Sequence, residues 1–275
     1  DSPALINNTE FTQPTIFIIE YTLAKLLMSY GIEPAMMIGH SIGEYVAATL
    51  ADVVSLDDMT KLVANRAKLM GSLPSCGGML AFMASEEVVK SLLNEAALGS
   101  DDIAVIAVIN SQKQVVVAGK KSSLDKVAKY AEGKNVIARP VPVSHAFHSP
   151  LMEPILNQFR EVAQGFNYNQ PKIPLISNLD GQVIGNDRID PNYFANHLIN
   201  AVRFYDGIKT MLAENTDLIL EVGANTTLTP TCKSTFVEDK DKFLSTLSRQ
   251  QDNFISLQQC IKQVFLQGVN INWES

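Results

Sequence analysis

Ala35-Met36-Met37-Ile38-Gly39-His40-Ser41-Ile42-Gly43-Glu44-Tyr45 is the stretch that decides how this chain folds. Ala35 to Ile38 is a short apolar run of the kind that forms a buried strand, and Glu44 to Leu50 is patterned as a helix. Between them stands G-x-S-x-G, the pattern of a sharp turn that lifts a serine out of an α/β sheet. Glycines on both sides let the backbone reverse. Ser41 Oγ is then expected above the sheet, and Ile42 N–H at a helix N-terminus where it can stabilise an oxyanion. A glycine-bracketed turn holding an idle serine is the plain alternative, and the strand before and helix after it favour the reactive one.

Upstream, Pro14 is placed as the first residue of a helix that runs to Tyr30 and stops at Gly31. Downstream, a helix is expected over Leu56 to Met70. Residues 77–143 then change character. Met79 to Ala84 forms a strand, Ser85 caps a helix opening on Glu86 and Glu87, and Ile103 to Ile109 and Gln114 to Ala118 form strands. A helix near Ser123 to Ala131 and a strand from Val136 to Val143 complete a β-α-β-β-α-β order, that of a ferredoxin-like unit. Beyond it, helices at Leu151 to Ala163, Pro191 to Leu212 and Phe254 to Leu266 alternate with strands at Ile173 to Ser177, Leu218 to Val222 and Phe243 to Leu247, which favours a mostly parallel sheet. The expected division is therefore residues 1–76 and 144–275 as one large α/β subdomain, with 77–143 inserted as a small one.

Composition narrows the function. The chain has 275 residues, 46% hydrophobic and 19% charged, enough for a sizeable core. A net charge of −7 argues against general nucleic-acid binding, which needs a basic surface. The longest apolar stretch, Thr15 to Met28, is interrupted by Glu20 and Lys25, so no membrane span is expected, and the opening residues lack the pattern of a secretory leader. Cys76, Cys232 and Cys260 are odd in number and widely spaced. They suggest neither a disulfide framework nor a zinc site, and a cytoplasmic, reducing setting is expected.

A reactive serine needs a base, and the chain offers four histidines: His40, His145, His148 and His197. His40 adjoins Ser41, where a sharp turn points neighbouring side chains apart. His145 and His148 lie where the small unit rejoins the large one, a natural place for a cleft. Spacing does not choose between them. Three residues apart, they have a metal-like spacing, yet no carboxylate or cysteine motif supplies further ligands, so no metal is expected. Arg66 falls in the middle of the apolar face formed by Met59, Leu62, Val63, Leu69 and Met70. An inward guanidinium demands an anion, either a structural carboxylate or a carboxylate on a substrate.

Together these segments resemble the malonyl-CoA:acyl carrier protein transacylase family, and specifically the acyltransferase domains of modular polyketide synthases. The matching stretches are Thr12-Gln13-Pro14, Gly39 to Tyr45, Asn65-Arg66-Ala67-Lys68-Leu69-Met70, His145-Ala146-Phe147-His148-Ser149-Pro150-Leu151-Met152, Val202-Arg203-Phe204, Leu220-Glu221-Val222-Gly223 and Gly268 to Trp273. The resemblance implies a hydrolase-like large subdomain with a ferredoxin-like insertion. It implies Ser41 as nucleophile, His148 as base, Arg66 as the group that holds a substrate carboxylate, and a backbone carbonyl at His197 that orients the base. His145-Ala146-Phe147-His148 and Gly39 to Gly43 are similar to the variants that take malonyl rather than methylmalonyl units, with Phe147 and Ile42 narrowing the space for a branch and His40 and His145 bordering the substrate. The implied reactants are malonyl-CoA and the phosphopantetheine thiol of an acyl carrier protein, with neighbouring synthase domains as partners and no cofactor bound by the domain. The family's glycine-glutamine-glycine segment, implied to supply a first strand and a further oxyanion donor, has no match here, so Ile42 N–H is the donor expected from this chain.

Two other functions fit the same framework. One is a hydrolase passing the acyl group to water, although an ordinary α/β-hydrolase places its histidine late in the chain and no histidine follows His197. The other is an idle docking module of a synthase.

Overall fold

The computed structural model describes residues 5–185 and 189–274, so the outermost ends of the two expected large-subdomain segments lie outside the described residues. The fold is α/β with two subdomains. In the larger, β1 (Met37–Ile38) pairs in parallel with β6 (Leu175–Ile176), and β7 (Ile219–Glu221) in parallel with β8 (Phe243–Ser245). Among the described residues each of these strands has one partner strand. Helices α1 (Thr9–Ser29), α2 (Ile42–Leu50) and α3 (Leu56–Gly71) pack together on the N-terminal side. Met59, Leu62, Val63 and Met70 of α3 are completely or almost completely buried in the resulting core, as the apolar face of that helix requires.

The smaller subdomain is built from β2 (Gly77–Phe82), α4 (Glu86–Glu95), β3 (Ala104–Ser111), β4 (Gln114–Lys120), α5 (Lys121–Gly133) and β5 (Ala138–Pro140). Its sheet is antiparallel, in the order β3-β4-β2-β5. That is the order of a ferredoxin-like unit, with a separate core of Phe82, Val89, Leu92, Val115, Val117 and Val127 between sheet and helices.

Four elements differ from their sequence reading. Helix α1 begins at Thr9, not at Pro14, because Asn8 caps it through the Glu10 N–H; Pro14 sits inside and forfeits one backbone bond. The expected helix at Leu151 opens as a 3-10 turn, Pro150–Ile155, and becomes α6 (Leu156–Gln164) only after Pro154. The strand expected to reach Val143 is confined to β5, an edge strand, since Pro140 and Pro142 cannot donate to a ladder. The long helix expected over Pro191 to Leu212 is two, α7 (Pro191–Ile199) and α8 (Phe204–Ala213). Between them the chain extends so that Val202 N–H donates to the Ala107 carbonyl at 2.9 Å and Ile109 N–H to the Val202 carbonyl at 2.9 Å, joining the large subdomain to β3. The remaining α-helices among the described residues are α9 (Thr229–Thr235) and α10 (Asn253–Leu266), the latter capped by Asp252. No helix among the described residues is long and apolar enough to cross a membrane.

Candidate active site

Ser41 stands at the turn from β1 to α2 with φ 52 and ψ −111, backbone angles that an L-residue adopts only at a cost. The turn is closed by Gly43 N–H donating to the His40 carbonyl and Glu44 N–H to the Ser41 carbonyl, both at 3.0 Å. Gly39 is obligatory here: a Cβ on it would lie 1.9 Å from the Glu44 nitrogen. Gly43 is under no such pressure, since a Cβ there would meet only Glu20 Oε2, at 3.5 Å. Ile42 N–H has no acceptor among the described residues and is the elbow amide left for a ligand.

Ser41 Oγ lies 2.7 Å from His148 Nε2. The other ring nitrogen of His148 is 3.0 Å from the His197 carbonyl and 3.2 Å from that of Asn200. Carbonyls only accept, so Nδ1 carries the ring proton and Nε2 is left to accept from the serine hydroxyl. His148 is itself held at φ 55 and is 2% exposed. Burial pushes its pKa down to about 3, the charges of Arg66 and His40 adding to the effect and the two carbonyls opposing it. Neutral imidazole, the form able to take a proton, is thus the resting state at neutral pH.

Arg66 projects from α3 into the same interior and is 2% exposed. Its Nη1 donates to Gln13 Oε1, and its guanidinium lies 5.1 Å from the centre of the Tyr45 ring. Tyr45 in turn meets the His197 ring edge-on at 5.4 Å, and His197 meets His148 at 5.5 Å, so the cation is packed through two rings towards the histidine. Among the described residues no carboxylate pairs with Arg66, and its Nε has no partner. Burial pulls the pKa of the guanidinium below its ordinary value.

The other histidines are engaged elsewhere. His40 Nε2 lies 2.9 Å from Asn110 Oδ1 on β3 and the ring tilts against Phe204, which ties the elbow to the small subdomain. His145 spends its ring nitrogens on Ser144 Oγ at 2.8 Å and the Leu73 carbonyl at 2.9 Å, fastening the two crossings between subdomains to one another. Phe147, half-buried, packs against two hydrophobic clusters, and Ile42 against the core of the large subdomain. The His197 side chain is buried 3.7 Å from Glu44 Oε2, with its pKa driven far down by burial and by the charges of His148 and Arg66.

Two polar residues of the site were not singled out from the sequence. Glu44, 1% exposed, accepts from the Tyr193 hydroxyl and from Asn178 N–H. It is a charge on an inward helical face, the same signal that marked Arg66. Asn178 is wholly buried, accepts from Ser41 N–H at 2.9 Å and donates to the Gly39 carbonyl at 2.6 Å. Its setting, Ser177-Asn178-Leu179-Asp180-Gly181, reads as an ordinary turn.

An α/β fold of two subdomains, with a serine on a strained strand-to-helix elbow and a neutral imidazole bonded to it, defines a class of serine-bearing transfer and hydrolytic proteins. Comparison with known proteins gives the particular branch. Residues 1–271 match the acyl transferase domain family. The chain is 35% identical over 276 residues to polyketide synthase GfsA of Streptomyces halstedii, covering 99% of this chain and 4% of that protein. It superimposes on the acyltransferase domain from the second module of the salinomycin polyketide synthase with a TM-score of 0.94 and 34% identity, covering 99% of this chain and 63% of that one. Against FabD from Acinetobacter baumannii the TM-score is 0.86 at 27% identity, covering 95% and 82%. The chain belongs to the acyl transferase domain family, and it spans only a small part of the length of the synthases it matches.

Proposed function

We propose that this chain moves a malonyl group from coenzyme A to the phosphopantetheine thiol of an acyl carrier protein, through an ester on Ser41, within a polyketide synthase. Residues 77–143 are the inserted small subdomain of that machine, and the carrier protein and neighbouring synthase domains are its partners. The observation that carries this reading is the 2.7 Å contact between Ser41 Oγ and His148 Nε2. In the first half-reaction Ser41 Oγ bonds to the thioester carbon while its proton passes to His148; the C–S bond breaks and coenzyme A leaves with that proton. In the second, the carrier's thiol gives its proton to His148, attacks the ester carbon, and Ser41 leaves with the proton returned. Ile42 N–H faces the developing oxyanion. Arg66, a buried cation with no carboxylate partner among the described residues, takes the free malonyl carboxylate, and Phe147 and Ile42 limit what the acyl chain can carry on its α-carbon.

Intact-mass measurement after brief exposure to malonyl-CoA is the test. The protein is expected to gain one malonyl group and Ser41→Ala to gain none; a folded protein that stays unmodified sinks the proposal. Arg66→Ala should lower kcat/KM for malonyl-CoA by about 10- to 100-fold, the worth of a charge-assisted contact, and favour acetyl-CoA by comparison. Recovery of free malonate in place of carrier-bound malonate would make the protein a hydrolase instead.

A further inference from the structure

The backbone of Ser41 is held in an unfavourable conformation, and a single side chain grips the turn that leads into it on both sides of His40. Asn178 follows β6, the strand parallel to β1, and so arrives at the carboxyl end of the sheet beside the elbow. Its Oδ1 accepts from Ser41 N–H at 2.9 Å and its Nδ2 donates to the Gly39 carbonyl at 2.6 Å, which brackets the two peptides that the turn must contort. Asn178 is itself fixed at both ends of its backbone. Its N–H donates to Glu44 Oε2 at 2.7 Å, and its carbonyl accepts from Arg203 N–H at 2.8 Å. Arg203 belongs to the same short link, residues 200–203, whose Asn200 carbonyl faces His148 Nδ1. Asn178 Oδ1 also lies 3.4 Å from His197 Nε2. One wholly buried amide therefore connects the turn that carries the hydroxyl with the segment that orients the imidazole.

We propose that Asn178 is the positioning residue that sets the Ser41–His148 geometry, acting through the Ser41 and Gly39 peptides without touching substrate. This deepens, and rests on, the reading of Ser41 and His148 as an active pair. An amide, or a protonated carboxyl of the same length, offers an acceptor and a donor on separate atoms to the two peptides at once. Asn178→Ala removes both bonds and leaves Ser41 N–H and the Gly39 carbonyl unsatisfied, so the elbow is free to relax. Asn178→Asp keeps the acceptor, but supplies the donor only when it is protonated.

The test reads the rate at which a fluorophosphonate, which reports a reactive serine without regard to acyl substrate, labels Ser41 in folded protein, together with kcat and KM for malonyl-CoA. Asn178→Ala is expected to slow labelling by about 10²-fold and to lower kcat while KM stays within about two-fold. Asn178→Asp should be slow at about pH 8 and recover relative to the unaltered protein as the pH falls towards about 5, because burial raises the pKa of an aspartate placed there. Labelling of Asn178→Ala at the unaltered rate, or an Asn178→Asp ratio that does not change with pH, overturns the proposal. Should Asn178→Ala fail to fold, the pH dependence of Asn178→Asp decides alone. A protein that is labelled by fluorophosphonate yet takes no malonyl group refutes the transfer reaction and leaves the positioning role standing or falling on its own result.

Discussion

Serine is among the best residues for capping a helix, and Ser41 occupies the cap position of α2 without capping it. Its hydroxyl turns to His148 instead. The helix end thus forgoes an interaction worth about 1 kcal/mol, and the turn accepts a strained φ as well, a pattern found where function has overridden local stability. The protonation of His148 gives a direct test. Because burial, reinforced by Arg66 and His40, holds its pKa near 3, the rate of Ser41 acylation should stay level from about pH 8 down to about pH 5. An inflection near the ordinary histidine value of about 6.5 would mean that the ring is solvated and charged there. Ser41, Arg66 and the histidine pair can be singled out as candidates in the sequence because each breaks a local expectation: a serine between glycines, a cation on an apolar face, imidazoles at a junction; of the pair, it is His148 that meets Ser41. Asn178 breaks none. Its importance comes from a strand pairing between β1 and β6, distant in sequence, and no local pattern encodes that.

Elements follow the same division between local and distant causes. The β-α-β-β-α-β order could be read because caps, turns and apolar runs are short-range signals. The break between α7 and α8 could not, since apolar spacing continues through Ala201, Val202 and Phe204 and only pairing with β3 shows why the helix stops. Close pairing within the small sheet makes its own demand at Gly119. A Cβ there would come within 2.0 Å of the Ile103 carbonyl oxygen and 2.8 Å of Ala104 Cα, so β3 and β4 could not keep their register. Gly119→Ala should lower unfolding free energy in urea by about 1–3 kcal/mol or more, as overpacking does. Gly133, at the end of α5 with nothing within 4 Å of its would-be Cβ, is the matched comparison. Gly133→Ala should be neutral or stabilise by up to about 1 kcal/mol, through the entropy of the unfolded chain. Equal losses at both positions would show that crowding against β3 is not what selects glycine at 119.

Across the whole large subdomain, one carboxyl sits where its parts converge. Glu20, on α1, lies between the start of α2 and the loop after β7: a Cβ on Gly43 would meet its Oε2 at 3.5 Å, and one on Gly223 would meet its Oε1 at 3.8 Å. Burial, and then the charge of Glu221, pushes the Glu20 pKa up from 4.5 to about 8. Glu221 is committed elsewhere, accepting from the N–H groups of Thr227, Leu228 and Thr229 at 2.8 Å each, so it keeps its place beside Glu20. A raised carboxyl pKa means that the folded protein retains a proton the unfolded chain has already lost. The stability linked to Glu20 is therefore intact below about pH 4.5 and is lost as pH rises through about 8. His40, His148 and His197 act in the opposite direction: their depressed pKa values give stability that is whole above about pH 6.5 and declines as acid forces protons onto them. Glu20→Gln keeps the shape and removes only the alkaline penalty. Its melting temperature should exceed that of the unaltered protein at about pH 8.5 and equal it at about pH 4.5, where both side chains are neutral. A gain of the same size at both pH values would trace the effect to packing and not to charge, and a loss at the higher pH would mean that the ionised carboxylate is itself holding these elements together.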